Sequence, residues 1–296
     1  MADTTARRAV LAGVDGSVSA LHATRWAARE AGQRHAPLHL LHACALPPLG
    51  PHADTGTEAG LLEALVEQGH RWLRQAKAEA RDTGGEVKLR TELRVGPAAA
   101  ELVEESAYAL VVVLGSRGLG GFRGMLAGSV SSGVCAHAHG PVVVVRGRLP
   151  GKPPPEDGPV VVGVDGSEAG DTAVAFAFEE AAHRRVPLVA VHTWVDLSVA
   201  ETWSALPFDI DWGAVADDER RLLAERMAGW REKYPDVPVR QEVVRDRPVR
   251  GLLACAEEAQ LIVVGSRGRH VPRGMGLGST SQALLHHSGC PVAVVR

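Results

Sequence analysis

The sequence predicts an α/β protein made of two tandem domains, each a five-stranded parallel sheet with helices on both faces. Three observations carry this. Short apolar runs alternate with longer helical patterns along the whole chain. The segment Ala12-Gly13-Val14-Asp15-Gly16-Ser17 returns as Val162-Gly163-Val164-Asp165-Gly166-Ser167, 150 residues later. His42, Gly115, Gly118, Gly128 and Ser129 return at the same offset as His192, Gly265, Gly268, Gly278 and Ser279. Strands that alternate with helices build a parallel sheet covered on both faces. A constant offset means one domain of roughly 145 residues used twice.

Within the first unit, Ala9 to Val14 is an apolar run of the kind that forms a buried parallel strand. Asp15-Gly16-Ser17 turns the chain, and Ser17 or Ser19 can cap the following helix by accepting a first-turn N–H. Gly32 is a plausible stop for that helix. Leu38 to Ala43 is the second strand. A loop rich in proline and glycine, Leu46 to Gly56, leads to a long amphipathic helix whose apolar face carries Leu61, Leu62, Leu65, Val66, Trp72 and Leu73. Val87 to Leu93 alternates as a third strand. Pro97 suits a helix start, and Ala98 to Ala107 supplies the helix. Leu110 to Leu114 is the fourth strand, Ser129 to Ala138 the next helix, and Pro141 to Val145 the fifth strand. The second unit repeats the plan with strands near Val160–Val164, Leu188–His192, Val239–Val244, Leu261–Val264 and Val292–Val295. Its second loop differs: Trp194, Trp203 and Trp212 stand there, read as a hydrophobic cover. The expected boundaries are 1–146 and 159–296, with a proline- and charge-rich linker over 147–158.

Right-handed crossovers leave few topologies, and strand order 3-2-1-4-5 is favoured. In that order the winding reverses between strands 1 and 4, where open sheets of this type bind ligands. Asp15 ends strand 1 and Gly115 ends strand 4, so the two most motif-like spots meet at one crevice.

Composition narrows the partners. The chain has 296 residues, 45% apolar and 23% charged, with a formal net charge of −3. That balance gives no reason to expect a nucleic-acid or anionic-membrane partner. No apolar run approaches the ~18 residues of a membrane span, and Met1 to Arg8 lacks the apolar core of a signal peptide, so a cytoplasmic protein is expected. Cys44, Cys135, Cys255 and Cys290 do not recur at the offset and form no C-x-x-C pair, so no shared metal or redox centre is expected.

The chemistry lies in the glycine loop. Each copy reads G-x2-G-x9-G-S after an apolar strand. A phosphate needs dense N–H donors and close backbone approach, and glycine allows both. Gly115 and Gly118, like Gly265 and Gly268, let the chain fold back at the strand end, with Ser116 and Ser266 between them. Gly128-Ser129 and Gly278-Ser279 open a helix whose first-turn amides and dipole favour an anion. Val130 and Ser131 extend that turn, as do Thr280 and Ser281. Arg117, Arg123, Arg267 and Arg273 offer positive charge at the rim. Asp15 and Asp165 suit a ribose or base contact, or Mg2+ held through water. The loop is neither a Walker A sequence nor G-x-G-x-x-G after the first strand. No Ser-His-Asp or paired-carboxylate arrangement recurs in both copies at suggestive positions, and no catalytic or metal-ligating residue is assigned. His42 and His192 are read as satisfied, partly buried imidazoles.

Together, V-G-V-D-G-S at the first strand of the second unit (A-G-V-D-G-S in the first), H-A or H-T after the second strand, and G-x2-G-x9-G-S before a Pro-Val ending resemble the universal stress protein family over nearly the whole chain. The resemblance implies an ATP-binding domain of strand order 3-2-1-4-5, with Mg2+ accompanying the nucleotide. It implies that Gly115, Gly118, Gly128 and Ser129, and their counterparts, hold the phosphates and ribose. Gly13, Val14 and Asp15, with Gly163, Val164 and Asp165, would line the adenosine side. Backbone groups near Ala43 and Thr193 would meet adenine. Domains of the family pair through their last strands, which implies an internal pseudo-dimer, and whole chains often form homodimers. Tandem members are associated with stress, hypoxia and dormancy responses, in which ATP binding regulates an unidentified protein partner. The alternatives are a slow ATPase or nucleotidyl-transferring enzyme of the same fold, and a scaffold with vestigial nucleotide sites.

Overall fold

The computed structural model describes residues 8–46, 55–119, 128–149, 151–194, 211–268 and 276–296. The chain divides into two compact units, the first running to Arg146 and the second from Pro154, with Gly147–Leu149 packing against the second. Arg123, Arg273 and Trp203 lie outside the described residues. Among the described residues no helix is long and apolar enough to cross a membrane.

The first unit runs β1 (Ala9–Gly13), α1 (Val18–Gln33), β2 (Leu38–Cys44), α2 (Thr55–Gly84), β3 (Leu89–Val95), α3 (Ala98–Ser106), β4 (Ala109–Gly115), α4 (Ser129–His137) and β5 (Val142–Val145). Its strands are parallel in the order β3-β2-β1-β4-β5. The second unit runs β6 (Val160–Gly163), α5 (Glu168–Arg184), β7 (Leu188–Thr193), α6 (Trp212–Lys233), β8 (Val239–Val244), α7 (Pro248–Cys255), β9 (Leu261–Gly265), α8 (Ser279–His287) and β10 (Val292–Val295). Its order is β8-β7-β6-β9-β10, again parallel. The expected 3-2-1-4-5 arrangement is therefore present in each unit.

The central strands carry the cores. Val111–Leu114 and Val142–Val145 are buried along their whole length, as are Leu261–Val264 and Val292–Val295. Strands buried on both faces read as unbroken apolar runs, which is why they stood out in the sequence. Each such side chain contributes about 1.5–3 kcal/mol on burial. In the second unit Phe178 of α5 is fully buried and stacks on Trp230 and Tyr234 from the end of α6, at centroid distances of 5.9 and 5.6 Å.

Several boundaries differ from the sequence reading by a residue or two, and two of them have a visible setting. Helix α1 does not stop at Gly32. It continues to Gln33, and His35 takes the positive φ of 49° that reverses the chain, with the Ala36 N–H donating to Ala31 O. The same turn recurs with Arg185 at φ 55°. Each turn follows a buried glutamate paired one turn on, Glu30 with Arg34 and Glu180 with Arg184. Strand β3 begins at Leu89 rather than Val87, because its start is set by one-to-one pairing with β2, Leu38 opposite Leu89 through Cys44 opposite Val95. The alternation of the segment was legible; its register against a partner was not.

Candidate functional site

At the carboxyl end of β1 the chain must turn at once into α1. Gly16 makes the turn at φ +81°, and Gly166 does so at +73°, a conformation that costs a side-chain-bearing residue about 1–2 kcal/mol. Ser17 then caps α1 by accepting from the Ala20 N–H at 3.1 Å, and Ser167 caps α5 from Gly170 at 3.0 Å. Asp15 sits between strand and cap. Its Oδ1 accepts from the Ser17 N–H at 3.0 Å, and its Oδ2 accepts from the Leu119 N–H at 3.2 Å.

That second bond reaches across to the loop after β4, which is fastened further. Ser17 Oγ donates to Arg117 O at 3.1 Å, and the Arg117 N–H donates to Ser19 Oγ at 3.4 Å. Gly118 lies so close that a Cβ there would stand 2.5 Å from Asp15 Oδ2; at Gly268 it would stand 3.0 Å from Asp165 Oδ2. The two motifs separated by about a hundred residues thus form one rim. In the second unit Asp165 Oδ1 accepts from the Ser167 N–H at 2.9 Å and from Ser167 Oγ at 2.7 Å.

The far end of the loop is held by the Gly128 N–H donating to Ser116 O, and by Gly278 donating to Ser266 O, both at 2.9 Å. Gly128 and Gly278 are the N-caps of α4 and α8, and neither helix receives a side-chain cap. By contrast Ser17, Ser167 and Asp211 each cap their helices through a side chain. Uncapped first-turn amides seek an acceptor from elsewhere.

Each rim encloses a cavity. The first, of about 490 Å³, is lined by Gly13, Val14, Asp15, Ala43, Gly115, Arg117, Gly118, Gly128, Ser129, Val130 and Ser131 among the residues expected from sequence. The second, of about 820 Å³, is lined by Gly163, Val164, Asp165, Thr193, Gly265, Arg267, Gly268, Gly278, Ser279, Thr280 and Ser281. Both volumes suit a nucleotide-sized ligand. Ser116 and Ser266 are not brought to the cavities. Ser116 Oγ lies 3.4 Å from Ser19 Oγ, and Ser266 is fully buried; their carbonyls, not their hydroxyls, serve the loop. Arg123 and Arg273 fall outside the described residues.

The walls include residues the motif did not supply. Trp72 of α2 lines the first cavity and meets His42 edge-on at 5.2 Å. Ala98, Leu102, Leu65 and Cys44 make the rest of that end apolar; burial raises the Cys44 thiol above its ordinary range. Among the described residues all four cysteines are free. In the second cavity Trp194, Glu219 and Arg247 take part instead. Trp194, read from sequence as part of a cover, lies 5.9 Å from Trp212, which carries the Arg245 guanidinium 4.1 Å above its ring. His42 and His192 both stand on the wall, and each Nδ1 lies 2.7 Å from a carbonyl just past the unit's first strand, Val14 O and Val164 O. Among the described residues no group of three or more His, Cys, Asp and Glu side chains could hold a metal ion.

Comparison with known proteins identifies the family. The model of the Universal stress protein family matches residues 6–146 and again 158–296. The universal stress protein Rv2623 of Mycobacterium tuberculosis is 41% identical over 298 residues, covering 97% of this chain and 96% of that protein. A universal stress protein of Mycolicibacterium smegmatis is 40% identical over 302 residues, with 97% and 96% covered. Among solved structures, a universal stress protein from Archaeoglobus fulgidus superposes with a TM-score of 0.70 at 20% identity, over 97% of this chain and 98% of that one, which speaks to the fold. Matched by the family model in both halves and 41% identical to Rv2623 over nearly its whole length, this chain is a tandem member of the universal stress protein family.

Proposed function

We propose that this chain binds ATP, accompanied by Mg2+, in both cavities and acts as a nucleotide-dependent regulator in stress and dormancy responses. One observation carries the reading. In each unit the helix that ends the glycine loop starts at an uncapped glycine on the cavity wall, opposite the aspartate that closes the strand-1 turn. A phosphate chain supplies the acceptors those amides lack and lies along the favourable end of the helix dipole, a term of about 0.3–1 kcal/mol per helix at an exposed site. A carboxylate with two oxygens offers about four lone-pair positions, so Asp15 can keep its two backbone bonds and still accept from a ribose hydroxyl. Because both Asp15 oxygens already accept backbone N–H groups, Mg2+ would be held chiefly by phosphate oxygens and water.

Regulation is proposed rather than turnover because no Ser-His-Asp or paired-carboxylate arrangement recurs at suggestive positions in the two units. The proposal also takes the protein as cytoplasmic and homodimeric, which sedimentation of the purified chain tests for the second point. The direct experiment is the mass and ultraviolet spectrum of small molecules released on heating purified protein, followed by calorimetric titration with ATP–Mg2+. The expected result is an adenine nucleotide and up to two sites per chain. Protein free of nucleotide, with no heat of binding and no thermal shift, refutes the reading; at a hundredfold excess over Kd, binding should stabilise the fold by about 2.7 kcal/mol.

A further inference from the structure

The two cavities differ most where the shared motif ends. His42 and Gly69 in the first unit correspond to His192 and Glu219 in the second, at the constant offset of 150. In the first unit there is no room for a side chain at 69: a Cβ on Gly69 would lie 2.4 Å from His42 Cδ2. His42 Nε2 is buried without a hydrogen-bond partner. In the second unit Glu219 Oε2 lies 3.0 Å from His192 Nε2. His192 Nδ1 meanwhile faces the Val164 carbonyl at 2.7 Å. Both ring nitrogens therefore face oxygen, Nδ1 the Val164 carbonyl and Nε2 the Glu219 carboxyl group, so the ring fixes where that carboxyl group lies. Only one of its oxygens is engaged by this bond, and the side chain lines the cavity beside Thr193 and Trp194.

This placement has a direction. The anionic end of a nucleotide belongs at the amide-rich end of the cavity, at Gly268, Gly278 and Ser279. Glu219 instead lies on His192 and lines the cavity with Thr193 and Trp194, where β7 ends, and the base takes that end. There it stands with an indole, Trp194, whose face can cover a purine. We infer that the second cavity is the base-discriminating one: Glu219, fixed by His192, accepts a hydrogen bond from an exocyclic amine of the purine, while the apolar first cavity, walled by Trp72, Leu65 and Leu102, does not discriminate. Glu219 is then a specificity residue that the second unit alone possesses. The inference rests on the ATP reading above and deepens it.

The test compares ATP with purine riboside 5′-triphosphate, which lacks the 6-amino group. Full-length chain carrying Gly128→Asp, which silences the first cavity, reports the second. The expected result is at least tenfold weaker binding of the des-amino nucleotide, the range for a hydrogen bond to a charged acceptor. In Gly128→Asp with Glu219→Ala the two nucleotides should bind within about twofold of each other. This variant leaves His192 Nε2 unpartnered, as His42 Nε2 already is, so the fold has a precedent for it. A merely structural role for Glu219 would weaken both nucleotides alike and leave their ratio unchanged, which overturns the inference. Equal binding of both nucleotides before the Glu219 change overturns it too. If wild-type chain binds neither nucleotide, the ATP reading itself falls, and this inference with it.

Discussion

Replacing Gly128 and Gly278 by aspartate separates binding from folding more sharply than any other change. Both glycines have ordinary extended dihedrals, φ −73° and ψ 152° for Gly128, φ −63° and ψ 151° for Gly278. A Cβ at Gly128 would first meet Ser131 Oγ at 3.4 Å, and at Gly278 it would meet Arg267 Cα at 3.4 Å. A side chain therefore fits with shifts of a few tenths of an ångström. Aspartate is also a good N-cap, so α4 and α8 should be as stable as before or a few tenths of a kcal/mol more so. Yet the new carboxylate takes the first-turn amides and stands where phosphate would sit. Two unit charges about 4 Å apart repel by about 4 kcal/mol at an effective dielectric of about 20. Gly128 is only partly buried, and solvent screening reduces this to about 2–3 kcal/mol, roughly a 30- to 150-fold loss of affinity per site. The assay is calorimetric titration with ATP–Mg2+ beside thermal unfolding, with Gly128→Asn and Gly278→Asn as uncharged controls. Unchanged affinity in the double aspartate variant refutes the phosphate assignment. Lost affinity together with a collapsed melting temperature would refute the claim that these glycines serve the ligand rather than the fold.

Three further outcomes follow from the geometry. Asp15→Ala removes the acceptor for two backbone N–H groups that join α1 to the glycine loop; unfolding in denaturant should show a loss of about 1–3 kcal/mol, and Asp15→Asn should recover part of it. Gly158→Ala should destabilise the chain by more than 2 kcal/mol, because the residue sits at φ +105° and a Cβ would lie 1.9 Å from Glu258 O; a variant as stable as wild type in denaturant titration would contradict this. Glu92 is held below its ordinary carboxyl range chiefly by the hydrogen bond from Arg94. Its folded pKa lies below the unfolded value of about 4.5, so its stabilisation is complete above that pH and is lost as pH falls through the folded value. Glu92→Gln should flatten that part of the acid limb in melting temperature against pH, and an unchanged limb would exclude Glu92 as its source.

Much of this architecture is legible in the sequence because buried parallel strands announce themselves. Val111–Leu114 and Val142–Val145 need only be apolar and bounded by glycine or proline to be found. The meeting of Asp15 with Gly118 was also open to inference, since topology brings the ends of strands 1 and 4 together. What stayed hidden depends on helix placement. Nothing local to Trp72 shows that α2 lays it beside His42, because a tryptophan on an apolar helix face looks like core. Comparing the two repeats finds what they share and discards what sets them apart, so Glu219 could not emerge from it. Ser116 and Ser266 lie inside the motif by spacing, whereas it is their carbonyls that hold the loop.

The indole of Trp72 stands against the turn at Gly16, where an added Cβ would come within 2.2 Å of its Nε1, and it also lines the first cavity. Trp194 occupies a wall of the other. Each compartment thus carries its own fluorophore. The chain holds six tryptophans, so the part of an emission change that disappears in Trp72→Phe reports filling of the first chamber, and the part that disappears in Trp194→Phe reports the second.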